Sequence, residues 1–182
     1  LVSNGSMFRP VSCIGAGRMR RARIEALDRQ PLVCKRQQMA GFSLPGFELD
    51  AFVAATLAED LGQGLPGGGR DVTSESVIPA DARFSGVMDS RDAIVVAGLP
   101  IAAAFFRALD PDMVIELLAS EGESVPAGSD LMRLTGNARA MLTAERSALN
   151  TARHLSRIAT MKRQYVDAMQ GNAVLRDTRK TS

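Results

Sequence analysis

A long helical pattern near the carboxyl end constrains this chain more than any other feature. From Asn137 through Met169 the apolar residues recur at helical spacing. Asn137 is a suitable N-cap and Gly171-Asn172 ends the run. Met141, Leu142, Leu149 and Ala152 supply one apolar face, and Ile158, Met161, Tyr165 and Val166 supply another. The two do not join into one stripe, and Ser156 lies between them. The pattern therefore predicts two helices or a kink. Ala173 to Arg176 then reads as a short buried strand, with Asp177-Thr178-Arg179-Lys180-Thr181 at its carboxyl end.

The preceding hundred or so residues alternate short strands and helices, in a length that suits one domain or slightly more. Glu48 to Leu61 reads as an amphipathic helix stopped by Gly62, with Leu49, Phe52, Val53, Leu57 and Leu61 at helical spacing. Residues 62–70 are glycine-rich. Asp71 and Glu75 follow and would repel an anion, so a surface loop is expected there and not a phosphate cradle. Residues 83–89 and 93–97 read as strands with a turn at Ser90-Arg91-Asp92. Pro100 to Leu109 is a small-residue helix suited to close packing, and Met113 to Leu118 is a strand. The turn Gly122 to Gly128 leads to a strand from Leu131 to Leu134. Strand, glycine-rich turn and strand resemble the lipoyl/biotinyl hammerhead. Carriers of that kind need a lysine at the hairpin tip, and none lies between Lys35 and Lys162. The topology is kept and the carrier function dropped.

The net charge of +2 conceals three regions: residues 1–38 carry +6, residues 39–130 carry −11 and residues 131–182 carry +7. A basic total is therefore no argument for nucleic acid, and no nucleic-acid partner is expected. Binding through the basic residues 1–38 would show itself as a steep salt dependence. That first segment has no clean hydrophobic period. It reads as a disordered basic extension, with an Arg-rich targeting peptide as the other reading, and Met39 precedes the first regular pattern. Gly15-Ala16-Gly17 has no third glycine at dinucleotide-loop spacing, and no strand is expected before it. The longest apolar stretch, Ala93 to Phe106, contains Gly98 and Pro100 and spans about 14 residues where a bilayer needs about 20, so no membrane span is expected. Cys13 and Cys34 make neither a disulfide framework nor a zinc site, which suits a reducing, cytoplasmic setting.

The sequence shows no Ser/His/Asp set, no metal cluster and no paired carboxylates. His154, the only histidine, reads as structural. The cations that stand out are Arg146 in the helix and Arg179-Lys180 at the last strand end, where α/β folds place ligands. A guanidinium pairs bidentately with carboxylate or phosphate, and lysine serves phosphate as a point charge. On spacing alone a solvated basic loop at 177–181 and a plain Glu145-Arg146 surface pair remain open.

Five motifs occur in one order: Glu59-Asp60-Leu61-Gly62; Asp71-Val72-Thr73; Ala144-Glu145-Arg146 with Leu149-Asn150; Leu155-Ser156 to Ile158-Ala159-Thr160; and Asp177-Thr178-Arg179-Lys180-Thr181. Together they resemble quinolinate phosphoribosyltransferase, the carboxylating nicotinate-nucleotide pyrophosphorylase of NAD synthesis. The resemblance covers about Leu44 to Thr181. It implies an α+β fold: a hammerhead-like, open-faced sheet domain over residues 39–136, after the extension 1–38. The first helices and first strand of an α/β barrel would then occupy 137–182. The family's barrel continues further, so the barrel is expected to be incomplete here and the piece inactive alone. The implied reaction joins quinolinate to phosphoribosyl pyrophosphate with Mg²⁺, giving nicotinate mononucleotide, CO2 and pyrophosphate in a homodimer or larger assembly. Arg146 would reach the partner subunit's site, Arg179 and Lys180 would hold carboxylate and phosphate, and Thr178 would assist by hydrogen bonding. No residue is assigned to the chemical step or to a metal. A molybdenum-operon homologue of similar pattern and a non-catalytic dimerisation module are the alternatives. The family carries glycine at the position of Arg157; a close backbone approach there would exclude such a side chain.

Overall fold

The computed structural model describes residues 8–14, 45–65, 68–170 and 174. Within them the order is β1 (Phe8–Ile14), α1 (Leu49–Asp60), α2 (Val72–Val77), β2 (Arg83–Asp89), β3 (Ile94–Val95), α3 (Leu99–Leu109), β4 (Val114–Leu117), β5 (Ser124–Val125), β6 (Asp130–Asn137) and α4 (Ala138–Ala168). Four antiparallel strands form an open sheet in the order β1-β2-β6-β4, and β3 pairs with β5 in a separate two-stranded ribbon. Helices cover the sheet, as the α+β expectation requires.

Most elements follow from local rules. α1 ends where Gly62, at φ +63°, allows a Schellman turn: the Gly62 amide donates to Glu59 O (3.0 Å) and the Gln63 amide to Ala58 O (2.8 Å). Val53 and Leu57 of α1 are buried, and Phe52 meets Phe105 edge-on at 6.0 Å. The middle of the core is α3. Leu99, Ile101, Ala102, Ala103, Phe105 and Phe106 are all buried, between Met88, Met132 and Leu134 of the sheet and the first half of α4.

α4 differs from its expectation. It is one continuous helix of 31 residues, about 46 Å long at the standard rise. Its buried seam is Met141 followed by Ala144, Ala148 and Ala152, three small residues that admit α3 closely, whereas Leu142 is exposed. Ser156, the expected break, is buried and bonded outward to another segment, so the helical ladder runs through it. Ile158, Met161, Tyr165 and Val166 stand exposed.

Three further differences concern the sheet and its surroundings. β1 forms inside the segment read as a disordered extension, and it directly precedes Gly15, where no strand was expected. Its backbone pairs along the free edge of β2, which offers unpaired donors and acceptors to any extended segment. The register shifts between Pro10 and Ser12, a bulge where proline lacks the N–H that an edge strand can spare. The turn at 90–92 does not make β2 and β3 a hairpin; β2 pairs with β1 and β6 instead. α2 was missed because its six residues are too few to show a period. The strand expected at 173–176 lies outside the described residues, apart from Val174, which is exposed and not in a strand.

Candidate functional site

The first turns of α4 gather three of the five motifs. Asn137 caps the helix: its side chain accepts from the Ala140 amide (3.1 Å) and donates to Ala80 O (2.7 Å). Arg139 is occupied structurally, donating from Nε to Ile78 O (2.7 Å) and from Nη2 to Glu75 O (3.1 Å), which ties down the end of α2. Thr143, Arg146 and Ser147 follow at positions i, i+3 and i+4 and so share one face.

Two carboxylates, one on each side of the glycine-rich segment, meet that face. Asp71 accepts from Thr143 Oγ1 (2.9 Å) while capping α2, where it also accepts from the Ser74 amide (3.0 Å) and hydroxyl (2.6 Å). The Ser74 hydroxyl and amide, helped by Thr143, hold the Asp71 carboxyl below its ordinary pKa, and this outweighs partial burial. Asp60 lies on the other side. Its Oδ2 accepts from Ser147 Oγ (3.2 Å), and its Oδ1 lies 3.7 Å from Arg146 Nη1. The Arg146 side chain is nevertheless 78% exposed, so most of its donors are open to a ligand. Nearby, the exposed Arg70 guanidinium bonds Glu75 and depresses that carboxyl's pKa.

The fourth motif does something different. Ser156 Oγ accepts from the Ala97 amide (3.0 Å) and donates to Ala97 O (3.1 Å). Thr160 Oγ1 accepts from the Val95 amide (2.8 Å) and donates back to Ser156 O (2.7 Å). Two hydroxyls thus satisfy backbone groups of the β3 segment that no strand pairs. These two hydroxyls dock α4 against that segment. Among the described residues a close approach occurs at Gly98. A Cβ on Gly98 would lie 2.6 Å from Leu155 Cδ1, and its φ is +89°. Arg157 is exposed. Glu121 completes this corner by accepting from the Gly98 (2.9 Å) and Leu99 (2.8 Å) amides at the start of α3. His154 lines a mostly apolar groove of about 670 Å³ with Phe47, Phe52, Leu155 and Ile158.

Of the sequence-derived site residues, Arg146 is the one that falls among the described residues. Thr178, Arg179 and Lys180 lie outside them. Asp60 and Ser147 were not singled out by chemistry. The signal available in the sequence was the i, i+3, i+4 spacing of Thr143, Arg146 and Ser147, which says nothing of what faces them.

The family model described as quinolinate phosphoribosyl transferase, N-terminal domain, matches residues 71–156. Residues 71–156 carry the N-terminal domain of the quinolinate phosphoribosyltransferase family. It is 38% identical over 139 residues to a Synechocystis protein named as a probable nicotinate-nucleotide pyrophosphorylase [carboxylating], covering 76% of this chain and 45% of that relative. A Mycobacterium leprae protein named nicotinate-nucleotide pyrophosphorylase [carboxylating] is 35% identical over 133 residues, covering 71% and 45%. Among solved structures, the nicotinate-nucleotide pyrophosphorylase of Francisella tularensis matches with a TM-score of 0.65 and 32% identity, over 74% of this chain and 45% of that one. Streptococcus pyogenes NadC matches with a TM-score of 0.69 and 28% identity, over 78% and 49%. The chain thus spans about half the length of the relatives it matches. No helix among the described residues is long and apolar enough to cross a membrane.

Proposed function

We propose that this chain supplies the amino-terminal part of an enzyme that transfers phosphoribosyl from phosphoribosyl pyrophosphate to quinolinate with loss of CO2. The products are nicotinate mononucleotide, CO2 and pyrophosphate. The observation that carries the reading is Arg146, largely exposed on α4 and flanked by a carboxylate of the Glu59-Asp60-Leu61-Gly62 motif, in a chain whose relatives bear that enzyme's name.

Both substrates are multivalent anions, and an exposed guanidinium with five fixed donors suits them. In this reading Arg146 grips a carboxylate or phosphate, Arg179 and Lys180 hold the remaining negative groups, and Thr178 adds a hydrogen bond. Cations placed where charge develops stabilise the departing pyrophosphate, and they orient the pyridine nitrogen against the sugar carbon. The N-ribosylated ring is then a pyridinium. Its positive nitrogen stabilises the electron pair left on the adjacent ring carbon as CO2 leaves, and that carbon then takes a proton from water, so decarboxylation needs no protein nucleophile. Among the described residues no group of three or more His, Cys, Asp or Glu is placed to hold a metal ion. Mg²⁺ is proposed to arrive bound to phosphoribosyl pyrophosphate.

The division into an extension (1–38), a sheet domain (39–136) and the opening of a barrel (137–182) belongs to the same proposal, as does a cytoplasmic homodimer or larger assembly. α4 then serves both folded parts: its first half is packed in the sheet domain's core and its second half is exposed. The test is release of labelled CO2 from carboxyl-labelled quinolinate by this chain joined to the carboxy-terminal half of the Synechocystis relative. Turnover dependent on phosphoribosyl pyrophosphate and Mg²⁺ is expected. A folded chimera that binds neither substrate would refute the reading.

A further inference from the structure

We infer that Asp60 is a positioning residue that orients the Arg146 guanidinium toward its anionic ligand before the ligand arrives. The inference rests on the reading of Arg146 as an anion-binding group. Two observations carry it.

The first is that Asp60 stands where its own helix disfavours it. It is the last residue of α1, follows Glu59, and has no basic residue in that last turn. The end of a helix carries partial negative charge, so a carboxylate there is mildly unfavourable. Local helix stability does not account for it.

The second is that both Asp60 oxygens are engaged on α4. Oδ2 accepts from Ser147 Oγ at 3.2 Å, and Oδ1 lies 3.7 Å from Arg146 Nη1. Ser147 is buried, so its hydroxyl is a fixed anchor, and Asp60 retains only 24% of its side-chain exposure. A carboxylate pinned at one oxygen presents the other in a set direction. The neighbouring guanidinium thereby loses part of its rotamer freedom in advance, which lowers the ordering cost of binding. The contact to Asp60 is made by Nη1, and a side chain 78% exposed keeps donors free for a bidentate grip on carboxylate or phosphate. An exposed pair of this kind contributes little to stability. Its effect is on direction.

The test reads guanidinium mobility by NMR relaxation of arginine Nε in the ligand-free, 182-residue chain. Arg153 and Arg157, exposed on the same helix with no bonded carboxylate among the described residues, are the internal reference. Arg146 Nε is expected to be more ordered than both. Order should fall to their level in Asp60→Asn, fall part-way in Ser147→Ala, and return in Asp60→Glu. Equal mobility of Arg146 and Arg153 in the unaltered chain, or no change in Asp60→Asn, overturns the inference. Quinolinate is titrated afterwards, and its apparent Kd is expected to weaken about two- to fivefold in Asp60→Asn, the range of an exposed ion pair. Tighter binding in that variant would mean that Asp60 competes with the ligand, and also overturns the inference. An Arg146 resonance that quinolinate leaves unmoved in the unaltered chain refutes the anion-site reading instead. The two failures are told apart because order is measured before any ligand is added.

Discussion

Removing one hydroxyl, in Ser156→Ala, tests the account of how α4 is seated. Ser156 is 5% exposed, and its hydroxyl serves both the amide and the carbonyl of Ala97. No strand pairs those two groups, so each loses its partner in the variant. Two ordinary hydrogen bonds at about 1 kcal/mol each give about 2 kcal/mol. Alanine's better helix propensity returns about 0.5 kcal/mol, leaving a net loss of about 1.5 kcal/mol. For an ordered region of this size that is a fall in Tm of about 5 °C. Arg157→Gly is the control: the position is exposed, so it should lose only the propensity difference, about 1 kcal/mol. Urea unfolding followed by circular dichroism gives both losses. Hydrogen exchange at the Ala97 amide separates the mechanisms, because it should accelerate beyond the global change in Ser156→Ala alone. A loss below about 0.5 kcal/mol with unchanged Ala97 exchange would show that water satisfies that edge and that the seam reasoning is wrong.

Other expectations follow from the same contacts. Gly98→Ala combines a left-handed backbone with a Cβ 2.6 Å from Leu155 Cδ1, so about 2–3 kcal/mol should be lost, and a urea midpoint shift worth under 1 kcal/mol would contradict it. Asp71 has a folded pKa below its ordinary value, so its stabilisation is present above that value and disappears as pH falls through the folded one; Asp71→Asn should flatten stability against pH below about pH 5, and parallel curves for the two proteins would refute this. Arg146→Ala should change stability by less than about 0.5 kcal/mol because the side chain is 78% exposed, while abolishing quinolinate-dependent CO2 release in the chimera described above; retained turnover would remove Arg146 from the site.

Caps, stops and periods were readable because each depends on neighbours within a turn or two. The end of α1 at Gly62, the Asn137 cap, the span of β2 and the approximate ends of α3 and β4 were expected and are found. The same local view misjudged α4. A serine between two apolar patches resembles a break, and only the presence of the Ala97 backbone beside it turns that serine into an anchor. Nor did it show that glycine permits a close approach at position 98. Arg146 stood out as a cation, whereas Asp60 did not, because nothing near Asp60 in the chain reveals its partner.

Most of the longer elements and the family motifs are therefore legible in the residues alone, since short-range sterics and periodic burial set them; β1 and the six-residue α2 are not. What joins what is a different matter. The bonds Ala97–Ser156, Val95–Thr160 and Asp60–Ser147 span 59, 65 and 87 residues. Contacts at that separation arise when α3 and α4 pack through small residues and bring distant backbone edges within reach of a hydroxyl or carboxylate. Packing geometry of that kind is a property of the assembled core, and no local pattern encodes it.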